Sequence, residues 1–205
     1  MKNGNIFRRG GQILALLILT GLLSACSDYE TPKPILKPAD YIALSENLTM
    51  PGTFALPPNA GGYERAATYY AVGVQKYRAQ VKDGPGPVQY QWVFAGPEAD
   101  LYDASNAKIG SHYAGPTWKL TAPGHLIAGQ AFSPARTFSK NPDSIDWLLL
   151  GNKTGQEPTG TFQGVTFIFR IATTGGKAPA TQPADPAATA DVPYTAVYRF
   201  VRPIL

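Results

Sequence analysis

From Tyr63 onward, apolar and polar positions follow a two-residue rhythm. Val88, Tyr90, Trp92 and Phe94 alternate with Gln89, Gln91 and Val93. Val165, Phe167, Phe169 and Ile171 alternate with Thr166, Ile168, Arg170 and Ala172. Tyr194, Ala196, Tyr198 and Phe200 alternate with Thr195, Val197, Arg199 and Val201. A period of two puts successive side chains on opposite faces, which is the mark of strands. Shorter runs at 64–70, 72–79, 108–113, 117–121, 125–131 and 145–150 extend the pattern. Turn residues fall between them: Asp83-Gly84-Pro85-Gly86, Ser105-Asn106-Ala107, Ala122-Pro123-Gly124 and Gly151-Asn152-Lys153-Thr154-Gly155. No stretch in this region carries a sustained helical period with caps. About nine short strands predict an all-β domain over 63–205, either an antiparallel β-sandwich or a flattened barrel. Both architectures bury one face of each strand, so the period does not choose between them. The Ala- and Pro-rich segment 175–192 holds little apolar surface. It reads as a mobile loop between the last two strands, with too little to pack.

The N-terminus follows a different rule. Lys2, Arg8 and Arg9 precede an apolar run from Ile13 to Leu23. As a helix this run spans only ~16 Å, short of a ~30 Å hydrocarbon core, so it reads as an export signal over 1–25. It ends Leu23-Ser24-Ala25-Cys26, which resembles the lipobox of bacterial lipoproteins. That resemblance implies lipidation of Cys26, cleavage before it, and a bilayer as partner through the lipid anchor. With two or three acyl chains the anchor is stable, where a single chain binds only marginally. Ser27 in place of Asp implies the outer membrane, facing the periplasm. Residues 26–62 then form a tether. Pro32, Pro34 and Pro38 keep its first part extended over roughly 35 Å. The rest, 39–62, holds enough Leu, Ile and Phe to pack against a domain.

Charge and cysteine content narrow the chemistry. The formal charge is +4, and three of the 18 basic residues lie ahead of Cys26, so the mature chain is near +1. No basic run in it suits nucleic acid. Cys26 is the one cysteine, and a lipidated thiol is unavailable to a disulfide, a metal or nucleophilic catalysis. No Gly-x-Ser-x-Gly, His-Glu-x-x-His, phosphate loop or Gly-x-Gly-x-x-Gly turn is present.

Four segments stand out together. They are Gly73-Val74-Gln75 with Tyr77; Trp92-Val93-Phe94 leading to Pro97-Glu98-Ala99-Asp100-Leu101; Ile109-Gly110-Ser111-His112-Tyr113-Ala114-Gly115-Pro116-Thr117-Trp118; and Trp147-Leu148-Leu149-Leu150. With Arg170, Gly175-Gly176-Lys177-Ala178-Pro179 and Val192-Pro193-Tyr194, their order and spacing resembles the domain of unknown function 3455 family of bacteria and fungi. The resemblance runs from about Pro51 to Phe200. It implies a secreted all-β domain and no particular activity. It also implies a pair of cysteines in many relatives, at the places held here by Ala79 and the stretch around Pro183.

The cluster 98–118 is the candidate site. His112, with Glu98 and Asp100 upstream and Tyr113 beside it, suits either a general base with its carboxylate or a structural histidine bonded to backbone. His125 has no ligand spacing to His112, so no metal site is expected. Trp118 is either core or the aromatic wall of a pocket. Trp92 and Trp147 read as core. Arg170 reads as pointing to the wet face. The function these features favour is a non-enzymatic envelope domain that binds a small molecule, glycan or envelope protein, without a cofactor. A hydrolase or isomerase using His112 as general base, and a purely structural envelope part, are the alternatives.

Overall fold

The computed structural model describes residues 36–205; the stretch read as an export signal, Cys26 and the start of the expected tether lie outside them. The eight strands are β1 (Tyr63–Lys82), β2 (Gln89–Tyr102), β3 (Lys108–Tyr113), β4 (Thr117–Leu120), β5 (Leu126–Phe138), β6 (Trp147–Asn152), β7 (Phe167–Gly175) and β8 (Thr189–Pro203). Each pairs antiparallel with the next, and β8 returns to β1, so the sheet closes into an up-and-down barrel. The all-β expectation holds, and of its two architectures the chain takes the barrel.

The count is eight rather than nine because the runs at 64–70 and 72–79 belong to one long strand. The two runs leave Ala71 uncovered, and Gly73 falls inside the second. Both sit within β1, and Gly73 is small because β2 presses on it there: a Cβ would lie 2.4 Å from Ala99 Cα. Gly inside a strand marks close backbone approach as well as strand ends.

The barrel has two apolar faces. Inward-pointing Leu101, Trp118, Ile127, Ile168, Tyr198 and Phe200 form the lumen core. A second core lies outside β6, β7, β8 and β1, where Trp147, Leu149, Phe169, Ile171 and Val197 pack under residues 38–56. That segment holds helix α1 (Pro38–Ser45) and a single turn at Gly52–Phe54. Pro38 starts the helix where its missing N–H costs nothing, and the Asp40 carboxylate accepts the Lys37 N–H at 2.7 Å. Ile42 and Phe54 are buried on the barrel, and Tyr41 stacks on Tyr70 with ring centroids 4.5 Å apart. Glu46 forks onto Arg65, which holds its carboxyl below the usual range, and Arg199 Nη2 donates to Ser45 O at 3.2 Å. Two buried faces explain why Trp147–Leu150 is apolar at every position instead of alternating.

One end of the lumen is filled. Phe162, from the turn Gly160–Phe162, packs on Phe200 at 4.7 Å and edge-on to Tyr69. His125 pins this turn: Thr161 N donates to its Nδ1 at 2.9 Å. The segment 175–192 differs from its sequence reading. Its last residues begin β8, and the rest lies against the projecting end of the β1–β2 hairpin. Pro183 is buried, Ala79 N donates to Ala188 O at 2.9 Å, and Trp92 Nε1 donates to Thr181 O at 2.8 Å. Polar backbone contacts hold it where apolar surface is scarce. Trp92 is accordingly half-buried beneath this loop, not in the core.

Candidate functional site

The open end of the lumen holds a cavity of about 240 Å³, near the small end of ligand sites. Its apolar wall includes Phe94, Pro97, Pro116, Leu148 and Leu150. Its polar side chains are Gln75, His112, Arg170 and Tyr198, with Trp118 beside them. Strand alternation selects these residues. Gln75 follows Gly73 on the inward face of β1, Arg170 follows Ile168 on β7, and Tyr198 precedes Phe200 on β8. Gly129 faces the same space, where a Cβ would press on the Trp118 ring at 3.2 Å, so its lack of a side chain gives the indole room.

The same alternation divides the candidate cluster. Ala99 pairs with His112 across β2 and β3, while Glu98 pairs with Tyr113 and Asp100 with Ser111. His112 therefore faces the lumen with Ala99, and Trp118, its partner on β4, joins it. Glu98, Asp100 and Tyr113 face outward. Glu98 pairs with Lys76, and Asp100 with Lys108 at 2.9 Å. His112 and Trp118 are brought together; the two carboxylates and Tyr113 are set on the other side of the sheet. Neither Glu98 nor Asp100 stands beside His112 as the base-and-orienter idea requires.

His112 is 2% exposed and lies flat on Trp118, with centroids 4.4 Å apart and planes 9° from parallel. Its Nδ1 lies 2.9 Å from Thr117 O. A carbonyl only accepts, so Nδ1 carries the proton and Nε2 is the acceptor. Burial, opposed by the Thr117 bond and helped by the charge of Arg170, pushes its pKa down to about 3. The imidazole is neutral at ordinary pH.

Arg170 corrects its sequence reading by facing inward. Its Nε and Nη2 donate to Asp146 O at 3.1 and 2.9 Å. Among the described residues no carboxylate lies within 4.0 Å of it. Gln75 Nε2, Trp118 Nε1, Tyr194 OH and Tyr198 OH are buried without a hydrogen-bond partner. The two hydroxyls lie near each other, with Gln75 close to Tyr194 and Arg170 close to Tyr198, but no pair closes to hydrogen-bonding geometry. Burial raises the pKa of both tyrosines, so both stay protonated. A buried donor without an acceptor costs about 1–3 kcal/mol, and here several border one cavity.

A shallower recess continues outward, lined by Tyr77, Ile145, Asp146 and Lys177 and sharing Gln75, Phe94, Leu148 and Arg170 with the inner chamber. The loop after β7 frames it. Gly176 takes φ +82°, and a Cβ there would lie 2.9 Å from Gln75 Cγ. Its O accepts the Tyr77 hydroxyl at 2.6 Å.

The segments that build this chamber are those singled out as a family resemblance, and a family described as "Protein of unknown function (DUF3455)" matches residues 59–202. The chain belongs to the DUF3455 family. Comparisons with curated proteins and with solved structures gave no match. Within this DUF3455 domain, the matched span contains the whole barrel except its last residue, Pro203, and all residues of the chamber. Among the described residues no group of three His, Cys, Asp or Glu side chains is placed to hold a metal, and no helix is long and apolar enough to cross a membrane.

Sequence reasoning missed Gln75, Arg170 and Tyr198. The signal for Arg170 was its position two residues after Ile168, on the same face of a strand whose other face is also apolar. Gln75 sits likewise two residues after Gly73.

Proposed function

We propose that this protein is a lipid-anchored envelope domain that binds a small molecule in the lumen of its barrel, without catalysing a reaction on it. The observation that carries this reading is the open-ended chamber itself. It is walled by apolar side chains and bordered by buried donors that find no partner among the described residues. Small-molecule sites combine these two features: apolar walls for affinity and a few convergent polar groups for orientation. The closed end, filled by Phe162, makes the space a pocket rather than a passage. Anchoring rests on the lipobox-like Leu23-Ser24-Ala25-Cys26. A lipid on Cys26 would hold the barrel at a membrane surface, with the outer membrane and the periplasm as its place.

The general-base reading is weaker chemically. A base is most effective with a pKa near the working pH, and burial holds His112 far below that. The nearest candidate carboxylates face the other side of the sheet.

Native mass spectrometry of the full chain purified from its own envelope tests the reading. The expected result is an organic adduct of defined mass. It should be lost when Leu148→Trp fills the chamber, and retained when Glu98→Gln alters the outer face. A bare mass, together with no thermal shift across a small-molecule panel, would contradict it.

A further inference from the structure

We propose that the lumen chamber takes a small organic carboxylate, its carboxylate forked on Arg170 and its apolar body lying among Trp118, Leu148 and Leu150. This deepens the binding-chamber reading and rests on it.

Three observations lead to the anion. The first is an unneutralised cation in an apolar setting. Arg170 lines both the inner chamber and the outer recess, and among the described residues it has a backbone carbonyl but no carboxylate within 4.0 Å. Arg170 is half-buried, and a partly desolvated guanidinium is stabilised by an opposite charge brought against it.

The second is its orientation. Nε and Nη2 both donate to Asp146 O, so one edge of the guanidinium is spent on fixing the group. The adjacent edge, Nη1 with the second N–H of Nη2, keeps two parallel N–H donors. That is the geometry that takes a carboxylate bidentately.

The third is the sign of the surrounding polar groups. Gln75 Nε2 and Trp118 Nε1 are donors, and Tyr198 OH can donate; each is at least 98% buried, with exposures of 2%, 0% and 1%, and each lacks a partner. A donor-rich pocket around a cation selects an acceptor that carries negative charge. Lys177 stands at the outer recess and adds a second positive charge along the way in. Asp146 lines that recess too, with its carbonyl turned to Arg170.

The body of the ligand is set by the rest of the wall. A cavity of about 240 Å³ excludes long acyl chains. It suits an aromatic ring or a short branched chain, placed against the Trp118–His112 stack. His112 Nε2, an acceptor in its neutral form, suits a hydroxyl or amide N–H on that body.

The test uses the full chain and matched pairs of probes: benzoate with benzamide, and phenylpropanoate with phenylpropanamide, titrated calorimetrically. The wild-type protein is expected to bind at least one carboxylate roughly ten- to a hundredfold more tightly than its amide, as charge-assisted hydrogen bonds warrant. Arg170→Met should erase that preference while leaving the weak amide binding. Arg170→Lys, which keeps the charge and loses the fork, should fall between the two. Melting curves of both variants establish that they fold.

Equal binding of acid and amide by the wild type, or a preference that survives in Arg170→Met, would overturn the carboxylate inference and leave the chamber reading standing. No binding of any probe would also overturn the carboxylate inference, and probe binding left unchanged by Leu148→Trp would overturn both.

Discussion

His112 shows how much one side chain's surroundings change its chemistry. Met alone in the sequence, a histidine next to acidic residues invites a catalytic role. Placed in the lumen, stacked on an indole and bonded to Thr117 O, it is a neutral polar slab. Its depressed pKa makes a stability statement. In the unfolded chain the imidazole protonates below about 6.5, and in the fold only near 3. Between those values the unfolded state binds more protons, so acid favours unfolding. The contribution is fully present above pH 6.5 and is lost progressively as pH falls toward 3. Urea unfolding at pH 7 and pH 5 checks this. The wild type should lose about 2 kcal/mol more over that interval than His112→Phe, a variant that keeps the stacking and removes the titration. Equal losses would mean that the ring is wetter than the fold indicates.

Parity within a strand decides most of what was and was not legible in the sequence. Glu98, Asp100, His112 and Tyr113 are near neighbours along the chain, and proximity in sequence suggested one cluster. Adjacent residues on a strand face opposite ways, so His112 and Tyr113 are on different sides of the sheet whatever else happens. Which side is the lumen was not legible. Both faces of β6 and β7 are buried, so apolarity did not mark the inner one. The outer cover comes from residues 38–56, which lie in the part read as tether, though their Leu, Ile and Phe did signal packing. That cover has a measurable weight. Phe54 is 3% exposed and meets Phe169 at 6.1 Å. Phe54→Ala should cost about 3 kcal/mol in urea unfolding, the usual scale for emptying a buried aromatic site. A loss under about 1 kcal/mol would show that the segment rests on the barrel without helping to hold it. The loop 176–188 followed a different logic. Composition correctly showed it poor in apolar surface, but it is held by backbone carbonyls meeting Trp92, Ala79 and Tyr77, contacts that no hydrophobic pattern encodes.

For the whole molecule, the eight-strand barrel has a size at which side chains nearly fill the interior or leave room for one small ligand. Here the two outcomes share one lumen. Phe162, Phe200 and Tyr69 fill one end, and at the other Phe94, Pro97, Pro116 and Leu148 line an open chamber. The sequence announced an all-β domain and the residues of its motifs. It did not announce closure, because a period of two is common to sandwiches and barrels, and closure depends on β1 pairing with both β2 and β8. Once the ring is closed, the family's scattered motif residues acquire a common place: Gln75 from the first segment, Pro97 from the second, His112 and Trp118 from the third, Leu148 and Leu150 from the fourth, and Arg170 after it.

The most direct measurement is a crystal structure of the protein soaked with bromobenzoate, with data collected at the bromine absorption edge. The account gives a single strong anomalous peak inside the lumen beside Trp118, with the carboxylate density on Arg170. Bromine found only on the outer face near Glu98, Asp100 and Tyr113, or nowhere on the protein while the crystal holds the compound at saturating concentration, would contradict it.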